Sequence, residues 1–278
     1  MNCVRENDSV WLCMFEWTSA ENAARRVEVD ICWIEANGNT FAYYDARLEN
    51  GLYVTIGLHQ IQNGTQNASM SVFDDPKKAQ VHDAFLRLLT QEPLPCKGFL
   101  PFRGSENNAF YMGNFPFRFG KWYRLIIAAD EDQVEGYIYG WSRQKVVKVG
   151  TFLTGEGSGI KARIGLEHSN GVALEHYGMA NACEHKSSIL IRNPLRVDVN
   201  GPRVGVTRGR VDYQKCPNVN VETDSNGYIM LSHGGDTLKR GQSGWLQWLA
   251  EEPLSLDVSL CECDYDHTWK AWKNCPKH

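Results

Sequence analysis

Two patterns are missing from this chain. No window approaches the roughly 18 consecutive apolar residues that a membrane-crossing helix needs; the longest apolar runs, such as Leu125 to Ala129, are strand-sized. Neither sign of charge dominates either: 29 Lys and Arg stand against 33 Asp and Glu, net −4, with the signs interspersed along 278 residues. The first absence excludes a helical membrane span. The second argues against a nucleic-acid partner, which needs a concentrated basic face. The nearest approach, Arg192, Arg196, Arg203, Arg208 and Arg210, reads as a solvated strand face.

Catalytic and metal motifs are equally scarce. No Gly-x-Ser-x-Gly nucleophile elbow is present, and Gly155 to Gly159 follow a strand but open no helix. Gly234-Gly235-Asp236 lacks the lysine and spacing of a phosphate loop. His168, His176, Cys183 and His185 collect zinc-type ligands without a zinc spacing, and Cys261-Glu262-Cys263 is too tight. No cofactor is called for. Calcium is the ion to consider, through Asp74 with Asp75 or Asp264 with Asp266, although neither pair sits in a calcium-loop motif.

What the chain does have is short alternating strands broken by turn signals. Val27, Val29, Ile31 and Trp33 point one way while Glu28, Asp30 and Cys32 point the other. The same period of two recurs over Trp122 to Ile127, Gly136 to Trp141, Lys145 to Phe152 and Val172 to Tyr177. Asn50-Gly51 marks a hairpin turn between Phe41 to Arg47 and Leu52 to Gln60. Pro76 to Gln91 is the one helical stretch, with Asp75 to cap it and Val81, Phe85, Leu88 and Leu89 on one stripe.

The chain is therefore expected to be mostly β: an antiparallel sandwich over residues 1–193 and a small Cys-containing β-rich domain over 194–278. Three of nine cysteines crowd the last 18 residues, where a covalent staple helps a short tail most. Sequons at Asn7, Asn63 and Asn67 add to the cysteines in pointing to a secreted protein whose signal peptide has been removed.

Gly57-Leu58-His59-Gln60-Ile61-Gln62 followed by Ser71-Val72-Phe73-Asp74-Asp75-Pro76 resembles the "fGIQ … fSvWDp" signature of a family of extracellular proteins of unknown function. Gly120 to Arg124, Val149 to Phe152, Gly165 to His168 and Glu175 to Ala180 are similar to its later blocks in the same order, so the likeness spans about residues 50–190. The family's Gly-rich loop is not in its place before Trp122. The resemblance implies a concanavalin A-like (jelly-roll) sandwich and an extracellular setting, and it carries no site residue.

Two groups of side chains could act on a ligand. Ser169-Asn170-Gly171 fits a hairpin loop that would pair Leu166 with Leu174 and Gly165 with Glu175, leaving Glu167 and Glu175 diagonal on one face, about 7–8 Å apart. Such a pair suits glycoside cleavage; the plainer reading is that both decorate a solvent face. Trp122, Tyr137, Tyr139 and Trp141 lie on strands, where outward rings stack on sugars and packed ones serve the core. The leading expectation is a secreted, lectin-like carbohydrate-binding protein. The alternatives are a glycan-active hydrolase or lyase using Glu167 and Glu175, and a toxin-like or protein-interaction module whose Trp245, Trp248, Trp269 and Trp272 meet a partner. Whether the chain is an enzyme, which glycan or other small molecule it takes, how its cysteines pair and how many copies assemble all stay open at this level.

Overall fold

The computed structural model describes residues 8–14, 23–49, 52–73, 100–103, 108–130, 133–142, 145–153, 163–165, 170–178, 181–199, 203–206, 208–213, 218–223, 227–237 and 244–247. The expected helix at Pro76 to Gln91 and the cysteine-rich tail lie outside the described residues, as do Glu167 and His168.

Two antiparallel sheets make up the fold, and no α-helix is present among the described residues. The first sheet runs β18 (Gly244–Gln247), β15 (Arg208–Tyr213), β1 (Asp8–Met14), β12 (Asn170–His176), β3 (Thr40–Arg47), β4 (Tyr53–Gln60), β5 (Gln66–Phe73), β7 (Asn108–Asn114), β6 (Leu100–Arg103). The second runs β10 (Lys145–Leu153), β9 (Gln133–Gly140), β8 (Trp122–Asp130), β2 (Ala23–Ala36), β13 (Ser187–Asp198), β17 (Ile229–His233), β16 (Val219–Thr223). Two short strands, β11 (Ile164–Gly165) and β14 (Arg203–Gly205), pair with β2 and β13.

Period-two alternation sends one set of side chains from each sheet into a shared core. Val27, Val29, Ile31 and Trp33 of β2 and Leu125 and Ile127 of β8 pack with Ala42, Tyr44 and Ala46 of β3 and Val54, Ile56 and Leu58 of β4, all fully buried in one cluster. Each such Val, Leu or Ile is worth about 1.5–3 kcal/mol of burial, before the entropy of ordering is subtracted. β3 and β4 form the hairpin expected around Asn50-Gly51, with Arg47 opposite Tyr53.

The hairpin expected over residues 164–177 does not form. Gly165 pairs with Ala23 in the second sheet, whereas Glu175 pairs with Ser9 and Phe41 in the first. Both edges of β12 are taken by β1 and β3, so the strand has no hydrogen-bonding edge left for residues 164–165. The boundary expected at residue 193 falls inside β13, and the strands that follow extend both sheets: β16 and β17 the second, β15 and β18 the first. The arginines of the 192–210 stretch are divided accordingly, with Arg192 and Arg196 on β13 of the second sheet and Arg208 and Arg210 on β15 of the first. Arg196 is buried beside Asp198 at 2.9 Å, not solvated.

Candidate functional site

Positions 28, 30 and 32 alternate with the core positions of β2 and so lie on the outer face of the second sheet. Asp30 stands directly opposite Arg124 on β8 and Arg192 on β13. Arg124 grips it with two bonds, Nε to Oδ1 at 2.7 Å and Nη2 to Oδ2 at 3.1 Å, and donates Nη1 to Glu28 Oε2 at 3.1 Å. The indole Nε1 of Trp141 donates to Asp30 Oδ1 at 2.9 Å, while Arg192 Nε and Asn193 Nδ2 reach Oδ2 at 3.3 and 3.2 Å. Arg26 pairs with the other oxygen of Glu28 at 2.5 Å. Glu28, Asp30 and Arg124 are fully buried, so the charges persist only because each has several partners. Burial by itself would pull the Arg124 guanidinium down, but the hydrogen bonds and charges of Asp30 and Glu28 hold it above its ordinary value.

Neighbouring strand residues normally point to opposite faces. Here Arg192 and Asn193 both reach Asp30 because β13 carries a bulge, with pairing to β2 shifted between Arg192 and Leu195. Asn193 takes up the irregularity in the left-handed region, φ 47°, which an Asn tolerates better than most residues.

Aromatic rings frame the guanidinium of Arg192: its Cζ lies 4.1 Å from the ring centroid of Trp122, 5.5 Å from Trp141 and 6.0 Å from Tyr228. Trp122 and Tyr228 meet edge to face at 5.2 Å. Trp122, Trp141, Arg192 and Tyr228 are all half-buried, leaving part of each at the surface. The structure thus brings Trp122 and Trp141 together. It places Tyr137 and Tyr139 on the same outer face but buried, in a small cluster with Ile126 and Val146. Tyr139 touches the edge of Trp141 at 5.2 Å, and the Tyr137 hydroxyl donates to Glu135 at 2.6 Å.

Glu175 lies on the outer face of the first sheet. It accepts a hydrogen bond from the Tyr43 phenol, whose pKa burial and this carboxylate push well up. Next to it, His59 contacts Ser69 Oγ through Nε2 at 2.6 Å and the Tyr177 hydroxyl through Nδ1 at 3.3 Å, under the stacked ring of Phe41 at 3.8 Å. Burial lowers His59 to about 3 and raises Asp45 to about 7; Asp45 is hydrogen-bonded to Tyr53. Burial and the Glu175 charge together raise Tyr177 to about 12. Glu167, the intended partner of Glu175, lies outside the described residues.

Of the zinc-type ligands, Cys183 is disulfide-bonded. His176 and His233 pack between the sheets with ring centroids 4.6 Å apart, and His185 stands 6.4 Å from His176. Burial, then the neighbouring imidazoles, lowers His176 to about 3; burial lowers His233 to about 4. Among the described residues no three His, Cys, Asp or Glu side chains are placed to hold a metal ion, and Asp74, Asp75, Asp264 and Asp266 lie outside them.

Sequence reasoning missed Arg124, Arg192 and Tyr228. One signal was available: an arginine in the middle of Trp122-Tyr123-Arg124-Leu125-Ile126 cannot stay in an apolar strand without a carboxylate partner.

No protein-family model matches the chain, and no curated protein matches it. Among solved structures it is similar to the enzymatically active domain of tailspike protein 2 of bacteriophage CBA120, at 11% identity and a TM-score of 0.31, over 70% of this chain. The match spans 23% of that structure's chain, less than a quarter of its length.

Proposed function

We propose that the protein is a secreted, concanavalin A-like lectin that binds glycans on the outer face of its second sheet. The observation that carries this reading is the set of half-buried rings, Trp122, Trp141 and Tyr228, held around one guanidinium by a buried ion network. Rigid aromatic faces stack on sugar rings at low entropic cost, and fixed polar groups beside them bond the hydroxyls. A disulfide at Cys183 supports an oxidising compartment, as does the sequon at Asn63, which sits in an exposed turn.

The test is a glycan array followed by calorimetry on the best ligand. Trp122→Ala is expected to weaken binding at least tenfold with the melting temperature little changed. An array with no ligand at high protein concentration, or a Trp122→Ala protein that binds like the parent, contradicts the reading.

A second reading, glycan cleavage, is favoured by Glu175 standing on the first sheet with Tyr43, His59 and Tyr177 close by. It predicts new reducing ends or unsaturated products from a bound glycan, lost in Glu175→Gln.

A further inference from the structure

The hydrogen bonding on the outer face of the second sheet narrows the ligand class. Asp30 is saturated: Arg124, Trp141, Arg192 and Asn193 all donate to its two oxygens. Glu28 is occupied by Arg124 and Arg26. Both carboxylates of this network lie at its buried end, and Lys121, beside Trp122 in the chain, is exposed.

Arg192 carries the network to the surface. Its Nε is spent on Asp30 at 3.3 Å, and its side chain keeps 18% exposure. Among the described residues nothing accepts a hydrogen bond from its two Nη nitrogens, and neither is buried without a partner. A guanidinium edge with two free, coplanar donors fits the two oxygens of a carboxylate or sulfate. Trp122 and Tyr228 fix the plane of that fork, and Asp30 fixes its base. It is preorganised, so little side-chain entropy remains to be lost on binding.

Resting on the glycan-binding reading, we infer that the preferred ligand is an acidic sugar, a uronate or a sulfated residue. Its anionic group takes the Nη edge of Arg192 while its ring stacks on Trp122 or Trp141. A neutral sugar would leave the guanidinium edge facing only hydroxyls.

The experiment compares the full chain's binding to an oligogalacturonate and to the fully methyl-esterified oligomer of the same length. The two share ring, linkage and size and differ in charge. The acid form is expected to bind at least tenfold tighter, with affinity falling as salt is raised from 50 to 300 mM. Arg192→Gln is expected to remove the gap, and Arg192→Lys, which keeps charge but loses the fork, to restore only part of it. If Arg192→Gln fails to fold, the comparison on the parent protein still decides. Because galacturonate is only one acidic sugar, a sulfated and a desulfated heparin oligosaccharide are run as a second pair. Equal affinity within both pairs overturns the inference while leaving the lectin reading standing. No binding to either pair while neutral glycans bind on the array overturns it too, and an array with no ligand of any kind removes both.

Discussion

At the scale of single residues, Asp30 organises the candidate site. Its carboxylate collects five hydrogen bonds from four side chains, and among the described residues Arg124 donates only to Asp30 and Glu28. Asp30→Asn removes the charge while keeping the shape, so Arg124 is left buried with Glu28 alone. Breaking a buried pair from one side costs about 3 kcal/mol or more, to be read from the urea midpoint at unchanged slope. Replacing both partners, Asp30→Leu with Arg124→Met, is expected to cost less than the single change, because no uncompensated charge remains. A single variant as stable as the parent contradicts this account. None of these partnerships could be read along the chain. Alternation puts Glu28 and Asp30 on the face away from the core, which reads as solvent, and only pairing with β8 and β13 turns that face into a buried network.

Strands show how much alternation conveys and where it stops. It locates β2, β8, β9 and β10 with ends off by up to four residues, and on β2 it separates Val27, Val29, Ile31 and Trp33, which enter the core, from Glu28, Asp30 and Cys32. It cannot choose neighbours: the residues on either side of Ser169-Asn170-Gly171 look like a hairpin, yet β11 and β12 belong to different sheets. Local turn chemistry was outweighed by the pairing of β12 with two long partners, β1 and β3. Irregularities are a further element-scale decision. β10 shifts register against β9 between Lys148 and Gly150, and a Cβ built on Gly150 would run into the Tyr111 ring of β7 in the opposite sheet. Tyr111 is itself fixed, buried with its hydroxyl donating to the carbonyl of Thr151 at 3.0 Å. Gly150→Ala therefore forces a rigid, tethered ring to move and is expected to cost about 1–3 kcal/mol. A thermal melt within a degree of the parent's would show that the two sheets are less tightly apposed than described.

For the whole molecule, the buried titratable groups set a pH dependence. His59, His176 and His233 hold folded pKa values of about 3, 3 and 4, each lowered first by burial. Unfolded imidazoles titrate near 6.5, so below that pH the unfolded chain binds more protons, and stability falls as pH drops toward 4. Asp45 acts in the opposite direction. Its folded pKa is raised to about 7 against about 4 unfolded, so its contribution is greatest at low pH and is lost as pH rises between those values. Three histidines outweigh one aspartate across that window. Melting temperature is expected to decline from pH 6.5 to 4 at constant ionic strength, with a shallower decline in His176→Phe. A flat profile would sink this expectation.

The sequence by itself determined the β character and, on β2, which side chains enter the core. Both follow from a period of two that each strand carries alone, and burial of its apolar half is the dominant free-energy gain. The tertiary structure alone decided which strands are neighbours, and therefore which charges meet. Arg124 lies 94 residues from Asp30 along the chain, and Arg192 162 residues from it. Hydrogen-bonded edges are alike from strand to strand, so local pattern does not encode their pairing. Only simultaneous satisfaction of all edges, both sheet faces and every buried charge selects it.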